Sequence, residues 1–191
     1  FMVKQDIGNQ TCTEHLSIVV ADLTNKAQLQ TAISDAKPDM VVHLAAISFV
    51  DHGDVADIYQ TNLLGTINLL DCLIESGLPL QKVLIASSGN VYGNNEQLPI
   101  HEGLLPTPII DYGVSKYSME LAAHIRSDKL PIIISRPFNY VGVGQAEHFL
   151  IPKIVAAFRA KQTEIYLGNL DVARDFSDVR DIVWAYLKLL T

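Results

Sequence analysis

Apolar positions in this chain fall into two alternating kinds of run. Short blocks that are apolar nearly throughout occur at Ser17-Ile18-Val19-Val20, Met40-Val41-Val42-His43-Leu44, Val83-Leu84-Ile85-Ala86 and Ile132-Ile133-Ile134-Ser135. Between them lie stretches with the i, i+3, i+4 spacing of a helix face, which predict helices over residues 25–36, 59–75, 112–125, 150–161 and 179–190. A further short strand is predicted over 164–167. Pro38-Asp39 breaks the first helix, and Gly77 with Pro79 closes the second. Strands that are apolar on both faces and separated by helices mark an α/β fold with a parallel sheet covered on both sides. Such sheets take ligands beyond the carboxyl ends of their strands. Function is therefore expected in the residues that follow each strand. The longest irregular stretch, 93–111, carries three prolines and two glycines, and a loop of that length in a compact domain is usually a functional loop or a lid.

Composition narrows the classes. The 191 residues are 49% hydrophobic and 18% charged, which describes a globular domain with a sizeable core. A formal net charge of −7 gives no electrostatic footprint for nucleic acid. No apolar run approaches the roughly 20 residues that span a bilayer, and Phe1-Met2-Val3-Lys4 lacks the layout of a signal peptide, so no membrane partner and a cytoplasmic location are expected. Cys12 and Cys72 are far apart and form no metal or redox motif; Cys72 lies in an apolar helical run as a reduced core thiol. Asn9-Gln10-Thr11 is then a chance sequon. The six histidines show no metal-ligand spacing, so no metal is expected, and His43 reads as a satisfied core histidine.

Small and hydroxyl residues follow the strands: Asp22-Leu23, Ala45-Ala46-Ile47-Ser48, Ser87-Ser88-Gly89-Asn90-Val91-Tyr92-Gly93 and, after Arg136, Pro137-Phe138-Asn139-Tyr140. They would let a flat ligand lie close to the backbone. Tyr112-Gly113-Val114-Ser115-Lys116 places a phenol and an ammonium on one helix face. A nearby cation favours the ionised form of a phenol, so this pair is suited to exchange a proton with a ligand oxygen near neutral pH.

Taken in order, these pieces, with Asn62-Leu63-Leu64-Gly65-Thr66 and residues 168–181, resemble the extended short-chain dehydrogenase/reductases of the nucleotide-sugar epimerase, dehydratase and reductase group. The resemblance implies a Rossmann-like dinucleotide-binding domain over 1–141 and part of a substrate-binding region over 142–191, interleaved with it. It implies Tyr112 as acid/base, Lys116 as the group that holds the nicotinamide ribose and lowers the phenol pKa, and Ser88 as the hydroxyl on the reacting sugar oxygen. Asp22 and Leu23 would meet adenine. Leu44, Ala45, Ala46, Asn62, Ala86 and Ser87 would line NAD or NADP, with Pro137 and Phe138 near the nicotinamide. Gly89, Asn90, Asn139, Leu150, Lys153, Gly168 and Arg174 would bind the nucleotide sugar, Arg174 through its diphosphate, since a guanidinium fork matches phosphate oxygens. A homodimer built on the helices around 59–75 and 112–125 is also implied.

Two departures from the family pattern matter. The family's 4,6-dehydratases carry an Asp-Glu pair after the catalytic Ser/Thr; here Gly89 and Asn90 stand there, which disfavours dehydration. The Gly-x-x-Gly-x-x-Gly loop that opens the family, and that would cradle a pyrophosphate, does not precede Asp22. The expectation is that segments of the whole protein lie outside this sequence. Gly168-Asn169-Leu170-Asp171-Val172-Ala173-Arg174-Asp175-Phe176 is most similar to the GDP-mannose-derived branch. The implied reaction is reduction of GDP-4-keto-6-deoxymannose at C4. The alternatives are a nucleotide-sugar 4-epimerase and a dinucleotide sensor without catalysis.

Overall fold

Asn25 starts the first helix by accepting the Gln28 amide on its side-chain oxygen at 3.2 Å, and Lys37 ends it in a left-handed conformation with its N–H on the Ile33 carbonyl at 2.9 Å. The computed structural model describes residues 17–48 and 54–191; Cys12 and the Asn9 sequon lie outside them. Two compact units divide after Arg136.

In the first unit the elements run α1 (Lys26–Ala36), β1 (Met40–His43), α2 (Val55–Tyr59), a π-helical turn (Gln60–Gly65), α3 (Thr66–Ser76), β2 (Lys82–Ala86), a 3₁₀ turn (Gly89–Tyr92), α4 (Asp111–His124) and β3 (Ile132–Ser135). The three strands form one parallel sheet in the order β1-β2-β3, with Val41 opposite Val83 and Val83 opposite Ile132. The central strand is the most apolar, and Val83, Leu84 and Ile85 are fully buried. Leu29 and Ile33 of α1, Leu70 and Leu73 of α3, and Met119 and Ala123 of α4 join Val83 and Ile85 in one core. That burial is the main force holding helices to sheet.

In the second unit β4 (Asn139–Val141) pairs in parallel with β5 (Phe176–Asp178), and helices α5 (Leu150–Arg159) and α6 (Val179–Leu190) complete it. Asp178 caps α6 by accepting the Arg180 amide at 2.8 Å.

Three expectations from the apolar pattern need correction. Residues 17–20 form no strand; Ile18, Val19 and Val20 are exposed and have no ladder partner among the described residues. Residues 164–167 are also irregular: Tyr166 is exposed and its carbonyl accepts the Lys153 ammonium at 2.6 Å instead of a neighbouring strand. The helix expected over 59–75 starts earlier, because Asp54 accepts the Ala56 amide at 2.9 Å and caps α2. It is also interrupted by the π turn, which packs against α4. Among the described residues no helix is long and apolar enough to cross a membrane.

Candidate active site

The carboxyl end of β2 is where the first unit gathers its chemistry. The ladder continues one residue past the strand through Ser87, whose N–H donates to the Ser135 carbonyl at 2.7 Å. Ser88 follows in extended backbone and caps the 3₁₀ turn, its oxygen accepting the Asn90 amide at 3.2 Å. A hydroxyl offers one proton and two lone pairs, so this contact leaves the Ser88 proton available to a ligand.

Helix α4 meets that turn at Gly113. A Cβ there would fall 2.7 Å from the Asn90 carbonyl oxygen, so only glycine permits the approach. The first turn of α4 is fixed from its other neighbour too, by the Tyr59 hydroxyl on Asp111 at 2.8 Å. Tyr112 lies between these two anchors. One turn on, the Lys116 ammonium donates to the Ala86 carbonyl at 2.6 Å and lies 6.0 Å from the centre of the Tyr112 ring. Ser88, Tyr112 and Lys116 are thus drawn to one end of β2 by contacts with residues on either side of Ser88.

Burial sets the electrostatics. Lys116 is 3% exposed, and loss of water pushes its ammonium pKa down to about 8, the Glu120 carboxylate opposing part of that fall. His43 is pushed down to about 4, first by burial and then by the charge on Lys116. It is therefore a neutral ring at neutral pH. Thr66 donates its single hydroxyl proton to the Asn62 carbonyl at 2.7 Å, so in the 2.8 Å contact with His43 the ring Nε2 carries the proton.

Asn62 projects from the π turn and is 1% exposed. Its oxygen accepts the Ile47 N–H at 2.8 Å, and its nitrogen donates to the Ile47 carbonyl at 3.0 Å and to Ser115 at 3.1 Å. Ser115 in turn donates to the Tyr112 carbonyl at 2.8 Å. Asn62, named among the residues to line the dinucleotide, staples the loop after β1 to the helix that carries Tyr112. With both amide protons engaged and almost no surface, it acts on that loop through Ile47.

The other expected residues are placed as follows. Asp22 is exposed and accepts the Thr24 amide and hydroxyl, each at 2.8 Å. Leu23, also expected at adenine, is buried in the core, where a Cβ on Gly65 would come within 2.9 Å of its own Cβ. Leu44 is exposed, and Ala45 and Ala46 are half-buried beyond β1. Gly89 is buried and Asn90 exposed. In the second unit, Pro137 is half-buried, while Phe138, Leu150, Gly168 and Arg174 are exposed. The Asn139 amide donates to the Asp175 carbonyl at 3.0 Å, and Lys153 holds the Tyr166 carbonyl as described.

A cluster that the sequence reading missed stands beside the candidate site: Glu120, Arg136 and Tyr92, joined by short hydrogen bonds. Only Glu120 carried a signal, its place one helical turn after Lys116; its pairing with Arg136 carried none. Among the described residues no group of three His, Cys, Asp or Glu side chains is assembled for a metal. A dinucleotide does fit what is there: Ser87 is 4% exposed and its hydroxyl oxygen has no hydrogen-bond partner among the described residues. Such an orphan beside small residues at a sheet's carboxyl edge suits a polar ligand.

A parallel sheet with hydroxyl, phenol and ammonium at one strand end defines the class, an extended short-chain dehydrogenase/reductase. Within it, residues 3–191 match the family model described as GDP-mannose 4,6 dehydratase, and the chain belongs to that family. It is 40% identical over 170 residues to a GDP-6-deoxy-D-talose 4-dehydrogenase of Aggregatibacter actinomycetemcomitans, covering 89% of this chain and 58% of that protein. It is 41% identical over 166 residues to a GDP-6-deoxy-D-mannose reductase of Pseudomonas aeruginosa, covering 81% and 54%. The structure of RMD from Pseudomonas aeruginosa complexed with NADPH superposes with a TM-score of 0.81 at 37% identity, over 90% of this chain and 60% of that one. The chain thus spans little more than half the length of the relatives it matches.

Proposed function

We propose that the whole protein is an NAD(P)-dependent oxidoreductase acting at C4 of a GDP-linked 6-deoxyhexose, reducing the 4-ketone to the alcohol. The observation that carries this reading is the buried Lys116 ammonium, held on the carbonyl of Ala86, two residues before Ser88, and 6.0 Å from the centre of the Tyr112 ring. When bound, the nicotinamide would supply the hydride that C4 receives. The Ser88 hydroxyl would donate to the ketone oxygen and polarise it. Tyr112 would give that oxygen its proton, and the Lys116 charge would stabilise the phenolate left behind. Ketone, hydride and proton together make the alcohol, and the reverse order of steps makes the ketone again.

The curated relatives named above, a reductase and a dehydrogenase of GDP-6-deoxyhexoses, support the substrate class. Gly89 and Asn90 carry no carboxylate for dehydration, although the family model bears a dehydratase description. Leu44, Ala45, Ala46, Ala86, Ser87, Pro137 and Phe138 would line the dinucleotide, and Asn139, Leu150, Lys153, Gly168 and Arg174 the nucleotide sugar. A homodimer through α3 and α4 is part of the proposal, supported by exposed Leu121 on α4 and Ile125 at its C-cap. A cytoplasmic location is supported by the free, buried Cys72.

The test is to incubate the full-length protein with GDP- and UDP-linked 4-keto and 4-hydroxy sugars, following nicotinamide absorbance and product stereochemistry. Consumption of NAD(P)H with a GDP-4-keto sugar is expected. Inversion at C4 without added reductant would make it an epimerase, and dinucleotide binding without turnover would make it a sensor.

A further inference from the structure

Glu120 and Arg136 form a bidentate pair that the proposed chemistry does not use. Glu120 accepts Arg136 Nε at 2.9 Å on one oxygen and Nη2 at 2.6 Å on the other. Arg136 Nη1 donates to the Tyr92 hydroxyl at 2.7 Å, and the guanidinium lies 5.0 Å from the centre of that ring. Glu120 is 5% exposed and Tyr92 2%. The cluster joins three elements: α4, the residue after β3, and the last residue of the turn that Ser88 opens.

Glu120 follows Lys116 by four residues and Tyr112 by eight, so all three share one face of α4. An unpaired carboxylate one turn from a buried ammonium would draw that ammonium toward it. Here it does not: both Glu120 oxygens are held by Arg136, and Lys116 donates to Ala86 instead. We propose that Arg136 is a positioning residue, which holds Glu120 away from Lys116 and, through Tyr92, fixes the turn opened by Ser88. The groups around Lys116 are the neutral His43 ring from β1, the Ala86 carbonyl from β2, Tyr112 and Glu120 from its own helix, and Arg136 behind Glu120. Burial lowers the proton affinity of Lys116 and Glu120 raises it, so where Arg136 holds the Glu120 carboxylate bears on how far it falls.

The role of Lys116 here rests on the proposed function, but its titration does not, and that separates the two. In the full-length, cofactor-free protein labelled with ¹⁵N-lysine, the Lys116 resonance is the one lost in Lys116→Met. Its midpoint is expected to fall by about half a pH unit in Glu120→Gln and to rise by about one in Arg136→Gln, where the freed carboxylate pairs with it. The turnover of Arg136→Gln is expected to drop about tenfold, and the double variant Glu120→Gln/Arg136→Gln to recover most of that loss with its midpoint back near that of the unaltered protein. A cluster that only packs the fold would leave the midpoint unmoved. An unchanged midpoint in Glu120→Gln overturns the proposal, and that variant suffices if Arg136→Gln fails to fold. Absence of turnover in the unaltered protein would defeat the proposed function, while the titration would still decide the role of Arg136.

Discussion

Lys116 is bonded to Ala86, 30 residues earlier in the chain, by a 2.6 Å hydrogen bond that neither a helix nor a sheet ladder requires. It ties α4 to the strand whose continuation is Ser88. The carbonyl gains a donor that a parallel ladder does not provide at the strand's end, and the ammonium gains a partner in a place without water. The bond therefore satisfies two buried groups and fixes the distance between the phenol helix and the hydroxyl turn.

Tyr112→Phe removes the phenolic proton of the proposed acid/base while keeping the ring. Turnover is expected to fall about 10²- to 10⁴-fold, as for loss of a positioned acid/base. Dinucleotide binding, read by nicotinamide fluorescence, should be unchanged. Near-normal turnover would remove Tyr112 from the chemistry.

Gly113→Ala tests the contact between α4 and the Ser88 turn. The added methyl would stand 2.7 Å from the Asn90 carbonyl oxygen and 3.0 Å from Pro108. Backbone cannot yield as a flexible side chain would, so about 1–3 kcal/mol of stability should be lost in denaturant unfolding. Because the turn must move to admit the methyl, kcat should fall by more than the nucleotide-sugar KM rises. A variant as stable and active as the parent would show that the two elements are not locked.

Much of this arrangement was legible from the residues. The strands β1, β2 and β3 are apolar blocks of the right length, and the predicted helix over 25–36 falls within one residue of α1. Tyr112 and Lys116 were paired by helical spacing, while Ser88 stood among the hydroxyls after a strand and was joined to them by the family resemblance. What was missed has physical causes. A strand exists only with a partner, so residues 17–20 and 164–167 carry β-branched and aromatic residues yet form no ladder among the described residues. The π turn leaves no composition signature, because one extra residue in a helix changes the direction of Asn62 and not its type. Arg136 pairs with Glu120 across 16 residues and two elements, which no local spacing reveals.

Asn62→Leu tests the staple between the loop after β1 and α4. The change keeps volume while deleting the three side-chain hydrogen bonds to Ile47 and Ser115. The orphaned Ile47 backbone groups should cost about 2–4 kcal/mol in unfolding measurements. Since Ile47 follows Ala45 and Ala46, the dinucleotide KM should rise more than the sugar KM. An equal rise in both would place the effect in global stability instead.

His43 makes the fold sensitive to acid. Its imidazole is held neutral in the folded chain with a pKa of about 4, against an ordinary value of 6.5, because burial and Lys116 both oppose a second positive charge. Between those two values the unfolded chain binds a proton that the folded one refuses, so stability falls as pH drops through that window and is fully present above it. The loss should approach about 3 kcal/mol once pH 4 is reached. His43→Gln keeps a donor toward the Thr66 oxygen but cannot titrate. Urea unfolding of the two proteins between pH 7 and pH 4 should therefore diverge, with the variant keeping the larger share of its neutral-pH stability. Parallel curves would mean that the ring takes up its proton in the folded state, and that the neutral contact with Thr66 is not what the fold maintains.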